Sequence, residues 1–216
     1  MKHITFYLDF VSPYAWLAFD QLPEVLMGQS YSVRYQPVLL GALLKHHGQL
    51  GPAEIPAKRD WTYRHVQWLA QSLGVPLLMP ALHPFNPVPL LRLALACQGE
   101  GDGEGWPNRY VCESIFRHVW EGGLDATDPA RLQQLTATLA PQRDIGANEV
   151  KAQLRLDTDA AAALGVFGVP TFEVDGKLFW GLDALPMLRD YLRVEAWFNG
   201  PQWEAVKQVP SGLARR

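Results

Sequence analysis

Two short apolar runs, residues 4–10 and 31–38, are separated by a single helix's worth of chain, and this spacing constrains the fold more than any other feature. Both read as strands, and the first is aromatic and aliphatic with little room for charge. Strands joined by one helix pair in parallel through a right-handed crossover. The helix start is written in Ser12-Pro13, after which Ala15, Trp16, Phe19, Leu22, Val25 and Leu26 recur at helical spacing. Proline suits the first helical position because its missing N–H would have no partner there. Ser12 then falls at the N-cap, its hydroxyl oxygen facing free backbone N–H groups. Taken alone, Ser12 is a helix cap.

The middle of the chain reads as helices at 58–73, 88–98, 107–120, Pro129–Leu139 and Asn148–Leu164. The stretch 74–89 carries Pro76, Pro80, Pro84, Pro87 and Pro89 and is expected to be a stiff, irregular surface segment. "GEGDGEG" (99–105) lacks the ligand register of a calcium loop and reads as a flexible connector. Strand character returns at Thr171–Val174 and Lys177–Trp180, joined by Asp175-Gly176, the strongest hairpin signal in the chain. A last helix is expected over 184–197, with Leu185, Leu188, Tyr191 and Leu192 facing the core, and an irregular tail after Gly200. The order β-α-β, helical block, β-β-α gives an α/β fold. One four-stranded mixed sheet is built from both chain ends and interrupted by helices. The corresponding division is 1–40 with 165–200 as a discontinuous sheet domain, 41–164 as an inserted helical domain, and 201–216 as a tail.

A formal charge of −3 over 216 residues gives no electrostatic reason to bind nucleic acid or an anionic membrane. The apolar stretch 88–97 is too short to span a bilayer and contains Arg92. With a strand starting almost at Met1 no leader is expected, and the expected location is the cytoplasm. Cys97 and Cys112 form no C-x-x-C and sit in apolar helical sequence, which reads as buried, unpaired thiols. The six histidines show no zinc spacing, and His46-His47 cannot place two ligands on one helix face, so no metal is expected. Phosphate-loop glycine patterns and G-x-S-x-G are both missing from the sequence.

Three signatures stand in order on this framework: "LDFVSPYAW" at the first strand–helix junction, "FGVPT" (167–171) before the third strand, and "FWGLDALPML" (179–188) before the last helix. Together they resemble the 2-hydroxychromene-2-carboxylate isomerase family, related to kappa-class glutathione transferases within the thioredoxin-like, DsbA-like superfamily. "HPFNPVPLLRLALA" (83–96) and "FRHVWEGGLD" (116–125) extend the resemblance to the bacterial isomerases. The resemblance implies a thioredoxin-like sheet with a large helical insertion. Redox relatives hold a nucleophilic cysteine at the helix start, where the dipole and unpaired N–H groups acidify it. Ser12 and Ala15 occupy the two cysteine positions here, so the chain has no dithiol there to cycle.

The resemblance implies an external thiol instead: glutathione, with its sulfur beside Ser12, which acts as a hydrogen-bond donor to the thiolate. It implies that Pro170 is cis and that Val169 offers backbone groups to the tripeptide by strand addition. In "WGLD", Trp180, Gly181, Leu182 and Asp183 would hold the γ-glutamyl end, with Asp183 meeting the ammonium. By itself Asp183 reads as the N-cap of the last helix. Lys58 falls where kappa-class relatives place a lysine near the glycyl carboxylate, and Gln49 where they place an asparagine. Asn86 is a candidate for substrate polar groups, or satisfies its own turn. Tyr14, Trp16, Phe85 and Trp120 are candidates for an aromatic wall around a bicyclic substrate, and equally for core. The implied reaction is glutathione-dependent interconversion of 2-hydroxychromene-2-carboxylate and trans-o-hydroxybenzylidenepyruvate in aromatic catabolism, by a homodimer. The alternatives are a kappa-like transferase or peroxidase, and a non-catalytic peptide-binding module.

Overall fold

The computed structural model describes residues 1–97, 105–194, 196–210 and 212. The chain runs β1 (Lys2–Leu8), α1 (Pro13–Val25), β2 (Tyr31–Pro37), α2 (Leu40–His46), α3 (Pro56–Leu73), α4 (Val88–Ala96) and α5 (Arg109–Trp120). It continues with α6 (Pro129–Leu139), α7 (Asn148–Leu164), β3 (Thr171–Val174), β4 (Lys177–Trp180), α8 (Leu185–Leu192) and α9 (Pro201–Ala205). The four strands form one sheet in the order β2-β1-β3-β4, with β1 parallel to β2 and antiparallel to β3, and β3 antiparallel to β4. The hairpin turns at Asp175 and Gly176, whose φ values of 51° and 77° match the primed turn that Asp-Gly favours.

One row of aromatic residues crosses all four strands. Phe6 lies opposite Tyr35 on β2 and Phe172 on β3, and Phe172 lies opposite Phe179 on β4. The Phe6 and Phe172 rings are 4.6 Å apart, and Phe19 of α1 closes over Phe6 and Tyr35. Because side chains alternate along a strand, Tyr7 faces the other side, where it packs with Val38, Leu43, Ala161, Ala162, Val166 and Val169 around α2 and α7. The larger cluster continues from the aromatic row into α4, α5 and α6 through Leu90, Phe116, Trp120 and Leu135, so sheet and helices share one core. Each large side chain buried in it contributes about 1.5–3 kcal/mol.

Several boundaries differ from the sequence expectation. The first strand ends at Leu8 rather than residue 10, because the Asp9 carboxylate takes Val11 N–H at 3.1 Å and Leu40 N–H at 2.9 Å and pulls the chain off the ladder. The same contact starts α2, a helix absent from the sequence reading, and α3 begins at Pro56, before the expected residue 58. In α5 the Asn108 side chain accepts Val111 N–H at 3.0 Å, so the helix starts two residues later than expected. The last helix is shorter than expected: residues 182–184 form a 3-10 turn, and α8 stops at Leu192. Val194, at φ 59°, then turns the chain so that Phe198 packs on Phe179 and Tyr191. The tail is not irregular throughout, since Trp203 of α9 packs on Trp197 and Phe198. The connector expected at 99–105 falls, apart from Gly105, outside the described residues, as do Gln98 and residues 213–216. No helix among the described residues is long and apolar enough to cross a membrane.

Candidate functional site

The site grows from the first turn of α1. Ser12 is buried, and its Oγ accepts Ala15 N–H at 3.2 Å, as the Ser-Pro sequence predicts. The hydroxyl donates across the chain to the Val169 carbonyl at 3.4 Å, longer than an ordinary O–H···O bond. The Val169-Pro170 peptide is cis. Helix start and proline loop therefore meet, although 157 residues separate them.

Pro170 leads straight into "WGLD", because Gly181 N–H donates to the Pro170 carbonyl at 2.9 Å. Gly181 must be glycine: its φ is 103°, and a Cβ would sit 2.3 Å from Asp183 Oδ1. The Trp180 indole lies over Gly168, where a Cβ would meet its Nε1 at 2.9 Å, and its ring lies 4.8 Å from that of Phe167, tilted by 58°. Asp183 corrects the sequence reading, which made it the N-cap of the last helix. It lies inside the 3-10 turn, the cap position belongs to Ala184, and no side chain caps α8. Asp183 is exposed and has no hydrogen bond or ion pair among the described residues, which leaves its carboxylate free. It lies close enough to Tyr14 that, after burial, its charge is the next cause raising that phenol's pKa.

The remaining candidate residues come from α1, α3, α5 and the 74–89 stretch. Tyr14 Oη bonds His65 Nδ1 at 2.9 Å, and His65 stacks near-parallel between Trp61 and Trp68. Phe85 is half-buried, edge-on to His83 at 6.2 Å. Asn86 is exposed, and its Oδ1 accepts Val88 N–H at 3.1 Å, so it satisfies its own turn while its amide N–H groups stay outward. Trp120 and Trp16 are buried in the core, with indole N–H groups bonded to the Phe10 and Pro76 carbonyls. Gln49 and Lys58 are exposed on either side of the 3-10 turn Pro52–Glu54. No described contact joins them to Ser12.

Sequence reasoning missed two residues here. Asp9 is fully buried, with no cation beside it among the described residues; burial raises its carboxyl to about 7 against two backbone N–H bonds that lower it. Its signal was a lone acid within an apolar run. His83 donates from Nε2 to the Val11 carbonyl at 2.8 Å, and its Nδ1 meets Tyr63 Oη at 2.7 Å. Nothing local in "HPFNP" announces a bond to a residue 72 positions away.

The cysteines stand apart from this chemistry. Cys112 is buried and Cys97 half-buried, less covered than expected; neither is in a disulfide. Burial pushes the Cys97 thiol up to about 11 and the Cys112 thiol higher still, so neither is a thiolate at neutral pH. Among the described residues no cluster of His, Cys, Asp and Glu is placed to hold a metal ion.

The DSBA-like thioredoxin domain matches residues 3–193, from β1 through the end of α8. The chain belongs to this family. Among its curated DsbA-like relatives is a 2-hydroxychromene-2-carboxylate isomerase of Sphingobium xenophagum, 27% identical over 198 residues, covering 88% of this chain and 98% of the relative. The kappa 1 glutathione S-transferase of Rattus norvegicus is 28% identical over 210 residues, covering 89% of this chain and 91% of the transferase. A solved 2-hydroxychromene-2-carboxylate isomerase superposes with a TM-score of 0.75 at 22% identity, covering 97% of this chain and all of that one, 100%. The four-stranded mixed sheet with its many helices is thus the thioredoxin-like DsbA fold. The relatives are enzymes of two kinds, isomerases and glutathione transferases.

Proposed function

We propose that the protein is a glutathione-dependent isomerase interconverting 2-hydroxychromene-2-carboxylate and trans-o-hydroxybenzylidenepyruvate. The observation that carries this reading is Ser12: a hydroxyl, not a thiol, caps the helix beside the cis Val169-Pro170 peptide. A helix N-terminus favours an anion, and the chain supplies no thiolate of its own. The residues fit glutathione. The long bond to Val169 leaves the Ser12 proton ready to turn toward a thiolate, and Asp183 is exposed and unpaired for an ammonium. When bound, glutathione supplies a thiolate that adds reversibly to the substrate's conjugated double bond, leaving a single bond free to rotate.

Ser12 and the first turn of α1 hold the sulfur's negative charge. Val169 offers backbone groups to the tripeptide, and Trp180, Gly181, Leu182 and Asp183 frame its γ-glutamyl end. Gln49 and Lys58 are assigned to its glycyl carboxylate, an assignment that rests on the family pattern. Tyr14, Phe85 and Asn86 face the aromatic substrate, with Trp120 behind them.

Stoichiometry tests the reading. The isomer ratio should relax to equilibrium with glutathione at a small fraction of the substrate concentration, and free thiol should remain constant. Loss of one thiol per turnover would favour the transferase reading, which the kappa-class relative makes the natural rival.

A further inference from the structure

We propose that α2 is a strut that sets the gap between Ser12 and Val169, with His47 as the positioning residue at its far end. The effect on ligand rests on the reading of glutathione between those two residues. The contacts begin at Ser12, whose N–H donates to the Asp9 carbonyl at 3.0 Å. The Asp9 carboxylate takes the N–H of Leu40, the first residue of α2, at 2.9 Å. Thr158 of α7 accepts the N–H of Leu39, the residue before it, at 3.0 Å. No side chain of its own caps α2, so its first N–H groups depend on these two distant partners.

The other end is fastened to the loop before Pro170. Leu43 and His47 are four residues apart and share one face of the helix. Leu43 is fully buried in the cluster that holds Val166 and Val169. His47 donates its backbone N–H to the Leu43 carbonyl and its ring Nε2 to the Val166 carbonyl, both at 3.1 Å. A carbonyl only accepts, so Nε2 carries a hydrogen in either charge state of the ring. Val166 stands three residues before Val169, whose carbonyl meets the Ser12 hydroxyl at 3.4 Å. The contacts therefore close a ring, from Ser12 through Asp9, α2, Val166 and Val169 back to Ser12.

Within this ring the Ser12–Val169 contact is the long one, and it does not fix the gap by itself. Nor does the sheet, because the β1–β3 ladder ends at the Tyr7–Thr171 pair and leaves residues 166–169 outside it. The short bonds through α2 do. A helix of seven residues is too short to persist alone, so α2 keeps its form only while both ends are held. Release of either end loosens the loop against Ser12. The binding-competent gap is then populated for part of the time, and apparent affinity falls by that fraction.

Calorimetry with S-methylglutathione tests this, since that ligand has no thiol to ionise. His47→Ala should weaken its binding about three- to tenfold, the worth of one neutral hydrogen bond. The bound thiol of glutathione, read from its ultraviolet band, should titrate as in wild type. His47→Gln keeps an N–H directed at Val166 and should restore most of the affinity. Asp9→Asn can accept only one of its two N–H groups, and should weaken binding similarly. Leu40 and His47 lie about 10 Å apart along the helix, a separation at which independent effects add. Through a strut they should not: the double variant should bind little worse than the weaker single one. Unchanged affinity in His47→Ala, or additive losses in the double variant, overturns the proposal and leaves the glutathione reading intact. Failure of wild type to bind the ligand removes that reading alone. The strut is then judged without ligand, by amide exchange at Leu40, which His47→Ala should accelerate from the opposite end of α2; unchanged exchange there overturns it.

Discussion

Replacing Ser12 by alanine separates its two roles, because they have different magnitudes and different readouts. As a cap, Ser12 satisfies Ala15 N–H at 3.2 Å, and losing it should cost about 1 kcal/mol of stability. As a donor, its proton is committed only to the Val169 carbonyl at 3.4 Å, too long a bond to compete with a nearby anion. Turning that proton toward a thiolate exchanges a weak neutral bond for a charge-assisted one, worth about 1.5–3 kcal/mol. At about 1.4 kcal/mol per unit, Ser12→Ala should raise the bound thiol's pKa by roughly one to two units. The helix dipole survives the substitution and keeps its own contribution. The assay is the thiolate ultraviolet band of the glutathione complex, titrated for both proteins, beside a urea denaturation of each without ligand. Isomerase turnover at neutral pH should fall roughly ten- to hundredfold, in step with the lost thiolate fraction. Superimposable thiol titrations, with only the denaturation midpoint displaced, would leave Ser12 a helix cap and refute the reasoning.

Two further outcomes follow from groups away from the hydroxyl. Neither Cys97 nor Cys112 has a partner thiol or an acidified sulfur, so the protein should not reduce insulin disulfides even with a dithiol recycling system, and turnover above background would contradict their burial. Asp9 titrates at about 7 when folded against an ordinary 3.8, so the folded state binds the extra proton between those values and stability falls as pH rises from about 4 to about 7. The span corresponds to about 4 kcal/mol. Urea midpoints of wild type and Asp9→Asn should therefore diverge progressively across that window, and a constant offset between them would show that Asp9 is not buried as a lone acid.

What could be read from the sequence was whatever a few neighbouring residues determine. The Ser12-Pro13 cap, the bounds of α6 and α7 and the Asp175-Gly176 turn each rest on local periodicity or on a backbone conformation that one residue type supplies. The errors have the opposite origin. Asp9 reads as part of the first strand because its partner Leu40 lies beyond β2, and the same missing contact hid α2. Asp183 had the composition of a cap, yet Gly181, tied to Pro170, winds the chain into a 3-10 turn first. Of the candidate site, Ser12, Val169, Pro170 and the "WGLD" segment meet in space, whereas His83 and Tyr63 could only be found once α3 and the proline-rich stretch were folded over Val11.

These contacts divide the site by the origin of its parts. The groups suited to a peptide, Val169, Gly181 and Asp183, hang from the sheet and its β3–β4 end, where the register from Thr171↔Trp180 to Val174↔Lys177 fixes them. Those suited to an aromatic substrate, Phe85 and Asn86, hang from the helical segment between β2 and β3, with Tyr14 bonded to it through His65. Ser12 lies at the seam, because α1 touches both. Exchanging residues in the 83–86 stretch would then alter which substrate fits while the thiol's surroundings stay the same, with one exception. His83 sits in this stretch, and its bond to the Val11 carbonyl ties the stretch to the residue before Ser12. A substitution at His83 would therefore disturb the backbone beside Ser12 as well as the stretch itself.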